Sequence, residues 1–407
     1  MKVGWIEKSL GEICSISRGG SPRPIQAFLT SESDGINWVK ISDATASGKY
    51  IYETAEKIKP SGAARSRMVK DGDFLLSNSM SFGRPYIMRT TGCVHDGWLV
   101  LSEYQESFNQ DFLYHLLGSP QVFSQFDRLA AGSTVRNLNI ELASKVIVPI
   151  PTLKEQRRLV TLLDEAFTDI ATVKVNAEKN LQNARGLFVS RMQTLFDEDQ
   201  SWERIQLEEL LSRGWIESHL DGNHGSDYPR KEEFVESGVP YIAARALRGW
   251  EVDFSEAKYL THERAATIRK GLAQDGDVLF AHNATVGPVG ILKTNEPFVI
   301  LGTSLTYYRC NENLILPEYL AHYMRSPAFV DQYSQVMKQS TRNQVPITKQ
   351  REFFHVIPPL SMQQKIANDL DRLSEKIELL ESIYRQKLTA LDDLKKSLLH
   401  QAFSGQL

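Results

Sequence analysis

Two histidines in the second half of the chain are the side chains best suited to chemistry of their own. His224 lies in DGNHGSDYPR, close to Asp221 and Asp227, and His282 lies in FAHN. Imidazole and carboxylate groups are common metal ligands. Their spacing matches no zinc or nuclease motif, however, and the three cysteines are scattered without a CxxC pair. We therefore expect no metal site and three reduced thiols.

The NEPF tetrapeptide at residues 295–298 comes nearest to a catalytic motif. It resembles the (N/D/S)PP(Y/F) motif with which adenine methyltransferases hold a flipped base, but Glu296 replaces the first proline. Cofactor loops need glycines between a strand and a helix, whereas GPVG at 287–290 falls between predicted strands. The GxxxxGK[ST] loop of nucleotide hydrolases is absent from the sequence. We predict no catalytic residues and no cofactor bound by this chain.

Composition places the chain among globular proteins of more than one domain. It has 407 residues, of which 42% are hydrophobic and 24% are charged, and its net charge is −3. This length is too great for one ordinary core, and the charge excludes a globally basic nucleic-acid binder. No run approaches the roughly 20 apolar residues that cross a bilayer, and the first residues lack the apolar stretch of a signal peptide. We expect a cytoplasmic protein.

A tandem repeat sets the organisation of the chain. PTLKEQRRLVTLLDEA at residues 151–166 aligns without a gap with PPLSMQQKIANDLDRL at residues 358–373, 207 residues later. The same offset pairs Asp164 with Asp371 and Phe196 with Phe403. Looser matches extend upstream, such as DGDFLLSN with DGDVLFAH. We infer a duplication of a unit of about 200 residues.

After the proline in each copy, apolar residues recur at spacings of three and four, which predicts a long helix with a coiled-coil seam. The predicted seam consists of Leu159, Leu163, Ile170, Val173, Leu181, Ile366, Leu370, Leu373, Ile377, Leu380, Leu388 and Leu391. Thr152 with Glu155, and Ser361 with Gln364, fit the capping-box pattern at the helix starts. Helices of about 40 residues need a partner, so we expect them to pair antiparallel. Two unrelated helices, each packed on its own domain, are the alternative.

The segments between the helices mix short apolar runs, such as DVLFAH and KVIVPI, with amphipathic patches interrupted at a Ser-Pro step. This pattern predicts compact α/β domains. The predicted fold is α/β, with two such domains in tandem, separated by two long helices that pair as an antiparallel coiled coil with pseudo-two-fold symmetry. The predicted segments are 1–150 and 201–357 for the domains, and 151–200 and 358–407 for the helices.

This order of elements resembles the specificity subunit of type I restriction-modification systems. PIPTLKEQRRLVTLLDEAF and PPLSMQQKIANDLDRL are similar to the junctions at which that family's helices begin. Recurring motifs of its target-recognition domains resemble four segments of the first half: WIEKSLGEI, GINWVKISDA, KDGDFLLSNS and GSTVRNLN. The second half has the matching segments WERIQLEEL, GVPYIAARA, QDGDVLFAHN and QSTRNQV. The likeness covers essentially the whole chain.

The resemblance implies a non-catalytic reader of double-stranded DNA. Each recognition domain would bind half of a bipartite, asymmetric site, and the paired helices would fix the separation of the halves. Two modification subunits with N6-adenine methyltransferase activity would dock on the helices, and restriction/translocase subunits would join them. S-adenosylmethionine, ATP and magnesium would belong to these partners. A rigid spacer between two readers would make half-site spacing a geometric property of the protein.

Base edges are read mainly by Arg or Lys at guanine and by Asn or Gln at adenine, so the polar loops supply the candidate DNA contacts. In the first half these are Arg18, Arg23, Ser77, Asn78, Arg84, Ser133, Arg136 and Asn137. In the second half they are Asn223, His224, Arg230, Arg245, His282, Asn283, Thr341, Arg342 and Asn343. For each loop the alternative is a solvated turn whose side chains serve the local backbone.

Two other functions compete with the DNA reader at this stage. One is a self-contained DNA methyltransferase or nuclease, which would act on DNA without partners. The other is a coiled-coil adaptor that assembles modification subunits but contacts no DNA.

Overall fold

A computed structural model describes residues 4–78, 83–130, 137–197, 202–223, 225, 228–339 and 343–407. The chain divides into two compact units: Met1–Ala177 with Arg385–Leu407, and Glu178–Tyr384. Both long helices therefore contribute to both units. The predicted boundaries near 150, 200 and 357 follow the sequence repeat instead of this division, and they stay a prediction.

The first unit carries a mixed α/β domain. Its strands are β1 (Ile6–Ser9), β2 (Ser15–Arg18), β3 (Leu29–Thr30), β4 (Ile36–Val39), β5 (Tyr50–Ile51), β6 (Glu56–Ile58), β7 (Arg67–Val69), β8 (Phe74–Ser77), β9 (Pro85–Met88), β10 (Gly92–Val94), β11 (Trp98–Ser102) and β12 (Ile147–Ile150). Its helices are α1 (Leu10–Ile13), α2 (Ile41–Ser47), α3 (Pro60–Ala63), α4 (Gln110–Leu117), α5 (Pro120–Ala130), α6 (Ile140–Ser144) and the start of α7 (Leu153–Asp197).

Two five-stranded sheets form this domain, in the orders β3-β6-β4-β10-β7 and β2-β11-β8-β9-β5. Most pairs are antiparallel, while β4 with β10 and β5 with β9 are parallel. The central strand β8 is buried along its whole length, as its continuous apolar run predicts. A separate pair of strands, β1 with β12, joins the beginning of the domain to its end. The start of α7 thus lies next to the start of the domain.

The second unit repeats this plan. Its strands are β13 (Glu203–Gln206), β14 (Ile216–Asp221), β15 (Phe234–Val235), β16 (Val239–Ile242), β17 (Leu247–Arg248), β18 (Glu251–Val252), β19 (Lys258–Leu260), β20 (Leu272–Ala273), β21 (Val278–Ala281), β22 (Val289–Ile291), β23 (Val299–Leu301), β24 (Leu305–Cys310) and β25 (Phe354–Ile357). Its helices are α8 (Leu207–Ser212), α9 (His262–Ala266), α10 (Pro317–Arg325), α11 (Pro327–Lys338), α12 (Ile347–Gln350) and the start of α13 (Leu360–Ser404).

The sheet orders here are β14-β24-β21-β22 and β15-β19-β16-β23-β20, and β13 pairs with β25 as β1 pairs with β12. A short β17–β18 hairpin is added. The amphipathic patches break at their Ser-Pro steps, α4 from α5 and α10 from α11, because proline cannot continue the preceding helix. The predicted α/β class with two tandem domains is confirmed.

The long helices α7 and α13 have 45 residues each. At the start of α7 the Thr152 hydroxyl accepts a hydrogen bond from the Glu155 amide at 3.3 Å, as the capping pattern predicts. The prediction for Ser361 with Gln364 is wrong, because α13 already begins at Leu360 and Ser361 is inside its first turn. There the Pro359 carbonyl accepts from the amides of Met362 and Gln363.

Each domain packs on the start of one long helix and the end of the other. In the first unit Leu159 and Leu163 of α7 join Leu399 and Phe403 of α13 in the core of the domain. In the second unit Ile366 and Leu370 of α13 join Met192, Leu195 and Phe196 of α7. Within each unit the two helix segments are antiparallel, as Lys174 with Asp392 and Arg185 with Glu381 show. Domain and helices share one hydrophobic core in each unit.

Candidate nucleic-acid interface

Three segments of the first domain meet at Asn78, directly after β8. The Asn78 amide donates to the Gly97 carbonyl at 3.0 Å, and its own carbonyl accepts from the Leu138 amide at 2.9 Å. Its side-chain amide donates to the Asp96 carbonyl at 2.8 Å. Asn78 is 1% exposed. It therefore ties together the strand end, the turn at residues 95–97 and the segment from residue 137.

The loop after β2 joins the same turn through Asp96. The Ser21 hydroxyl donates to one Asp96 carboxylate oxygen at 2.8 Å, and Arg23 lies 3.2 Å from the other. Arg18 donates to the Asp96 carbonyl at 3.1 Å. The Ser21 hydroxyl bond is the main cause that lowers the pKa of Asp96. Asp96 thus holds two exposed arginines beside the Asn78 junction.

A glycine makes this arrangement sterically possible. A Cβ at Gly19 would lie 1.9 Å from the His95 carbonyl oxygen, and one at Gly222 in the second domain would lie 1.9 Å from the Gly302 carbonyl oxygen. No side chain fits at such a distance, so the loops after β2 and β14 approach their neighbouring turns only with glycine there.

The second domain builds the same junction around His282. The His282 amide donates to the Ser304 carbonyl at 3.0 Å, and its carbonyl accepts from the Val345 amide at 2.8 Å. Its Nδ1 lies 3.1 Å from the Val345 carbonyl oxygen. Burial lowers the pKa of His282, which favours a neutral ring. His282 occupies the place of Asn78, with a different side chain.

Neighbouring candidates extend this second junction. Asn283 forms a bridge with Gln344, and the Ala284 amide donates to the Asn343 carbonyl at 3.0 Å. Asn223 donates its amide to the Leu301 carbonyl at 2.7 Å. Arg245 follows β16 on a helical turn whose first amide, that of Ala244, donates to the Ser304 hydroxyl at 2.9 Å. The amide bonds of Asn223 and Ala244 place these two segments against residues 301–304, while the Arg245 guanidinium donates to the Glu256 carbonyl at 3.2 Å.

The candidates differ in how far they reach solvent. Arg18, Arg23, Arg84, Arg230, Arg245 and Asn343 are exposed, Asn137 and Asn283 are half-buried, and Ser77, Asn78, Asn223 and His282 are buried. Ser133, Arg136, His224, Thr341 and Arg342 lie outside the described residues. The Arg84 backbone bonds to Ser77, at the strand end of the first junction, and its side chain packs over the Tyr86 ring at 5.2 Å. The Arg230 amide donates to the Glu233 carboxylate. DNA contact by any of these residues stays a prediction.

A buried glutamine fastens each domain to its helix, and sequence reasoning did not assign it a role. Gln156 is fully buried. Its amide group donates to the Ser107 and Pro151 carbonyls, both at 2.9 Å, and its oxygen accepts from the Asn109 amide at 2.7 Å. Gln363 makes the equivalent three bonds to Leu314, Pro358 and Leu316, each at 2.9 Å. The signal in the sequence was the identity of this residue in both copies.

A histidine and an aspartate form a second tie at matching positions. His115 Nε2 lies 2.7 Å from Asp164, and His322 Nε2 lies 2.8 Å from Asp371. Both rings are buried, and both aspartate side chains are about half exposed. Each pair joins the domain helix, α4 or α10, to the first turns of the following long helix. We call the glutamine and the histidine–aspartate pair of each unit its polar ties.

The predicted seam is buried at its ends and shallow in its middle. Leu159, Leu163, Ile170, Ile366, Leu370 and Ile377 are buried, and Val173, Leu181, Leu373, Leu388 and Leu391 are half-buried. The structure differs from the prediction at Leu380, which is 42% exposed. The inward position is Glu381, four residues after Ile377, and its carboxylate lies 2.6 Å from Arg185. A four-residue step replaces a three-residue step at this point.

The described residues contain no group of three or more His, Cys, Asp or Glu side chains placed to hold a metal ion. His224 and Asp227 lie outside them. NEPF lies in an irregular segment between β22 and β23, where Glu296 is exposed. None of the helices that the structure describes is long and apolar enough to cross a membrane.

Comparisons with known proteins agree along most of the chain. The family model described as the type I restriction modification DNA specificity domain matches residues 2–182 and 216–389. The EcoBI specificity subunit of Escherichia coli is 20% identical, over 99% of this chain and 86% of the relative. The EcoKI specificity subunit of Escherichia coli K12 is 22% identical, over 99% and 89%. A chain from a structure on complex assembly and conformational transition of the type I R-M system aligns with a TM-score of 0.81, 19% identity and coverage of 100% and 99%.

Proposed function

The chain belongs to the type I restriction modification DNA specificity family, and we propose that it reads an interrupted, asymmetric DNA site with its two domains. The observation that carries the proposal is the repeated junction: Asn78 and His282 make the same backbone bonds in the two domains while their side chains differ. A shared frame with different side chains suits two half-sites of different sequence. Exposed arginines beside each frame would read guanine or hold phosphates.

The two domains offer different reading groups. Arg18 and Arg23 stand beside the first junction, and Arg245 and Asn343 beside the second. Asp96 would keep Arg18 preorganised through its backbone carbonyl and Arg23 through its carboxylate until a base edge or phosphate replaces these contacts, an exchange that costs little at exposed groups. The buried Asn78 and His282 would set the loops without touching DNA. This division explains how readout could change while the frame stays constant.

The catalytic steps would belong to partner subunits docked on the long helices. Exposed apolar side chains on these helices, Val175, Leu187, Leu379 and Ile383, range from 48% to 63% exposed. Apolar groups so exposed are typical of surfaces that another protein covers. We propose two N6-adenine methyltransferase subunits carrying S-adenosylmethionine, and restriction subunits carrying ATP and magnesium. The helix pair would act as the spacer between half-sites.

The first experiment is a genome-wide map of N6-methyladenine in cells with and without this gene. Loss of one interrupted, asymmetric motif on deletion is expected. Complementation with Arg245→Ala should then alter or weaken only the second half-site, and Arg23→Ala only the first, which makes each variant the control of the other. Methylation or cleavage of DNA by the purified chain without partners would contradict the proposal, as would an unchanged map.

A further inference from the structure

The second unit contains an acidic cavity beside the start of α13. Its volume is about 310 Å³, near the lower end for ligand pockets and suited to one side chain. It is lined by Trp250, Glu251, Ile291, Lys293, Glu318, Ala321, His322, Asp371, Ser374, Glu375 and Glu378. Five of these residues are carboxylates and one is a lysine. The cavity is therefore strongly negative, in a chain whose overall charge is nearly balanced.

Part of this negative charge, that of Glu318 and Glu375, has no counter-charge among the residues that the structure describes. Lys293 lies 3.5 Å from Glu251, and both side chains are more than 70% exposed. Among the described residues, Glu318 and Glu375 have no ion-pair partner within 4.0 Å. Arg325, a half-buried cation, stacks 3.6 Å from the Trp250 ring centroid, donates to the Gly249 and Val289 carbonyls and attracts the Glu378 carboxylate. It does not line the cavity.

A buried nitrogen in the cavity wall also lacks a partner. His322 is 1% exposed, and its Nε2 faces Asp371. Its Nδ1 has no hydrogen-bond partner in the part of the chain that the structure describes. When the ring carries its one proton on Nε2, facing the Asp371 carboxylate, Nδ1 has a free lone pair and can accept a hydrogen bond. An unmet buried acceptor favours an incoming N–H donor.

The first unit shows how the same place is filled when the chain supplies its own cation. Asp111 stands where Glu318 does, and the Lys49 ammonium lies 2.7 Å from it and 4.8 Å from the Tyr114 ring centroid. Tyr114 and Phe167 occupy the positions of Ala321 and Ser374. In the second unit small side chains replace these two rings, Trp250 donates to the Ser374 hydroxyl and packs 4.4 Å from the His322 ring centroid, and the carboxylates remain without the lysine.

We propose that this cavity receives the guanidinium or ammonium group of a partner protein's arginine or lysine. The inference rests on the proposed function, in which a protein partner docks on α13, and names the chemistry of its contact. Five carboxylates repel phosphates, so nucleic acid is the wrong occupant. A desolvated basic group there would meet the carboxylates and could donate to His322 Nδ1. The proposed contact belongs to the second unit, because in the first unit Lys49 already pairs with Asp111, the equivalent of Glu318.

The test measures assembly of the full chain with the modification subunit. The variant Glu318→Gln, Glu375→Gln, Glu378→Gln keeps side-chain size and removes three charges. Its affinity for that subunit at low salt should fall about tenfold or more, and its salt dependence should decrease. The control variant Glu236→Gln, Glu263→Gln, Glu296→Gln removes three exposed charges elsewhere in the same unit, and its affinity should match the wild type.

Each outcome has one meaning. Wild-type affinity in the cavity variant, or equal loss in both variants, overturns the proposed contact while leaving the DNA reader intact. Failure of the wild-type chain to bind any modification subunit overturns the proposed function and the contact with it. Glu375→Lys, at an exposed position, should weaken assembly further because it places a competing cation at the mouth of the cavity. The methylated half-site sequences should stay the same in every variant that assembles.

Discussion

The two units repeat their internal supports atom by atom and differ where they would meet other molecules. Gln156 and Gln363 each make three hydrogen bonds to equivalent backbone groups. By contrast, the exposed groups beside the loop junctions differ: Arg18 and Arg23 in the first unit, Arg245 and Asn343 in the second. The aromatic filling of Tyr114 and Phe167 is matched by an open acidic cavity.

This difference separates two kinds of position. Groups that hold a domain on its helix have partners inside the unit, so any change leaves a buried polar group unpaired. Groups at loop tips and cavity mouths have solvent or a partner as their neighbour, so they can vary without cost to the fold. Duplication followed by change at the second kind of position would yield two readers on one frame.

The largest effect is expected from a charge placed in the hydrophobic core that each domain shares with the long helices. Leu163 and Leu370 hold equivalent positions in the long helices and are both fully buried. Leu163→Asp or Leu370→Asp should lower the free energy of unfolding of its own unit by about 4 kcal/mol or more, because the carboxylate would be buried without a partner. Hydrogen exchange of the two units in the full chain measures each effect separately.

Leu379→Asp serves as the control, since Leu379 is 63% exposed and the change should stay within about 0.5 kcal/mol. Strong destabilisation by Leu370→Asp with little effect of Leu163→Asp would contradict the equivalence of the two cores.

The architecture was predictable because the repeat carries a great deal of information. A gapless alignment that starts at Pro151 and Pro358 predicts two matching helices, and burial of Leu159, Leu163, Ile366 and Leu370 follows from their period. Leu380 could not be placed, because a heptad count cannot tell where a helix takes a four-residue step. At that step Glu381 faces inward and pairs with Arg185, a contact between residues remote in sequence.

Substitutions in the polar ties should have smaller effects, and they test whether the equivalent glutamines stabilise the two units equally. Gln156→Leu and Gln363→Leu should each cost about 2–3 kcal/mol in the unit concerned, because one amide and two carbonyls lose their buried partner. The two losses should agree within about 1 kcal/mol, given the matching bonds. Urea unfolding followed by hydrogen exchange provides the measurement. Gln364→Leu is the neighbouring control, since Gln364 is exposed; a loss as large there would show that helix propensity, not the tie, is responsible.

The site was predictable only as a set of loops. Residue type selects Asn78 and His282 as well as Arg18 and Arg245, and the sequence does not tell which of them turn inward. Burial of the first two depends on carbonyls of Asp96 and Val345, which lie in separate segments. Gln156 could have been found, because it is identical in both copies while its neighbour Glu155 is replaced by Met362.

The smallest expected effect concerns acid sensitivity, through a buried strand position at which only the second unit has a titratable side chain. His355 on β25 takes the place of Val148 on β12, and both are fully buried. Burial lowers the pKa of His355 to about 4, below the value of about 6.5 expected in the unfolded chain. The unfolded state therefore binds the proton first. Above pH 6.5 the ring is neutral in both states and does not lower the free energy of unfolding. As the pH falls towards 4, protonation of the unfolded state lowers the free energy of unfolding.

At pH 5 the loss that comes from the His355 ring should be on the order of 2 kcal/mol relative to neutral pH. His355→Val, which installs the residue of the first unit, should remove that part of the pH dependence, whatever it does to stability at neutral pH. The readout is the slope of unfolding free energy between pH 7 and pH 5, from urea titrations monitored by hydrogen exchange in the second unit. An unchanged slope would mean that His355 is solvated or paired in the native protein, and that the two units do not differ in their response to acid at this position.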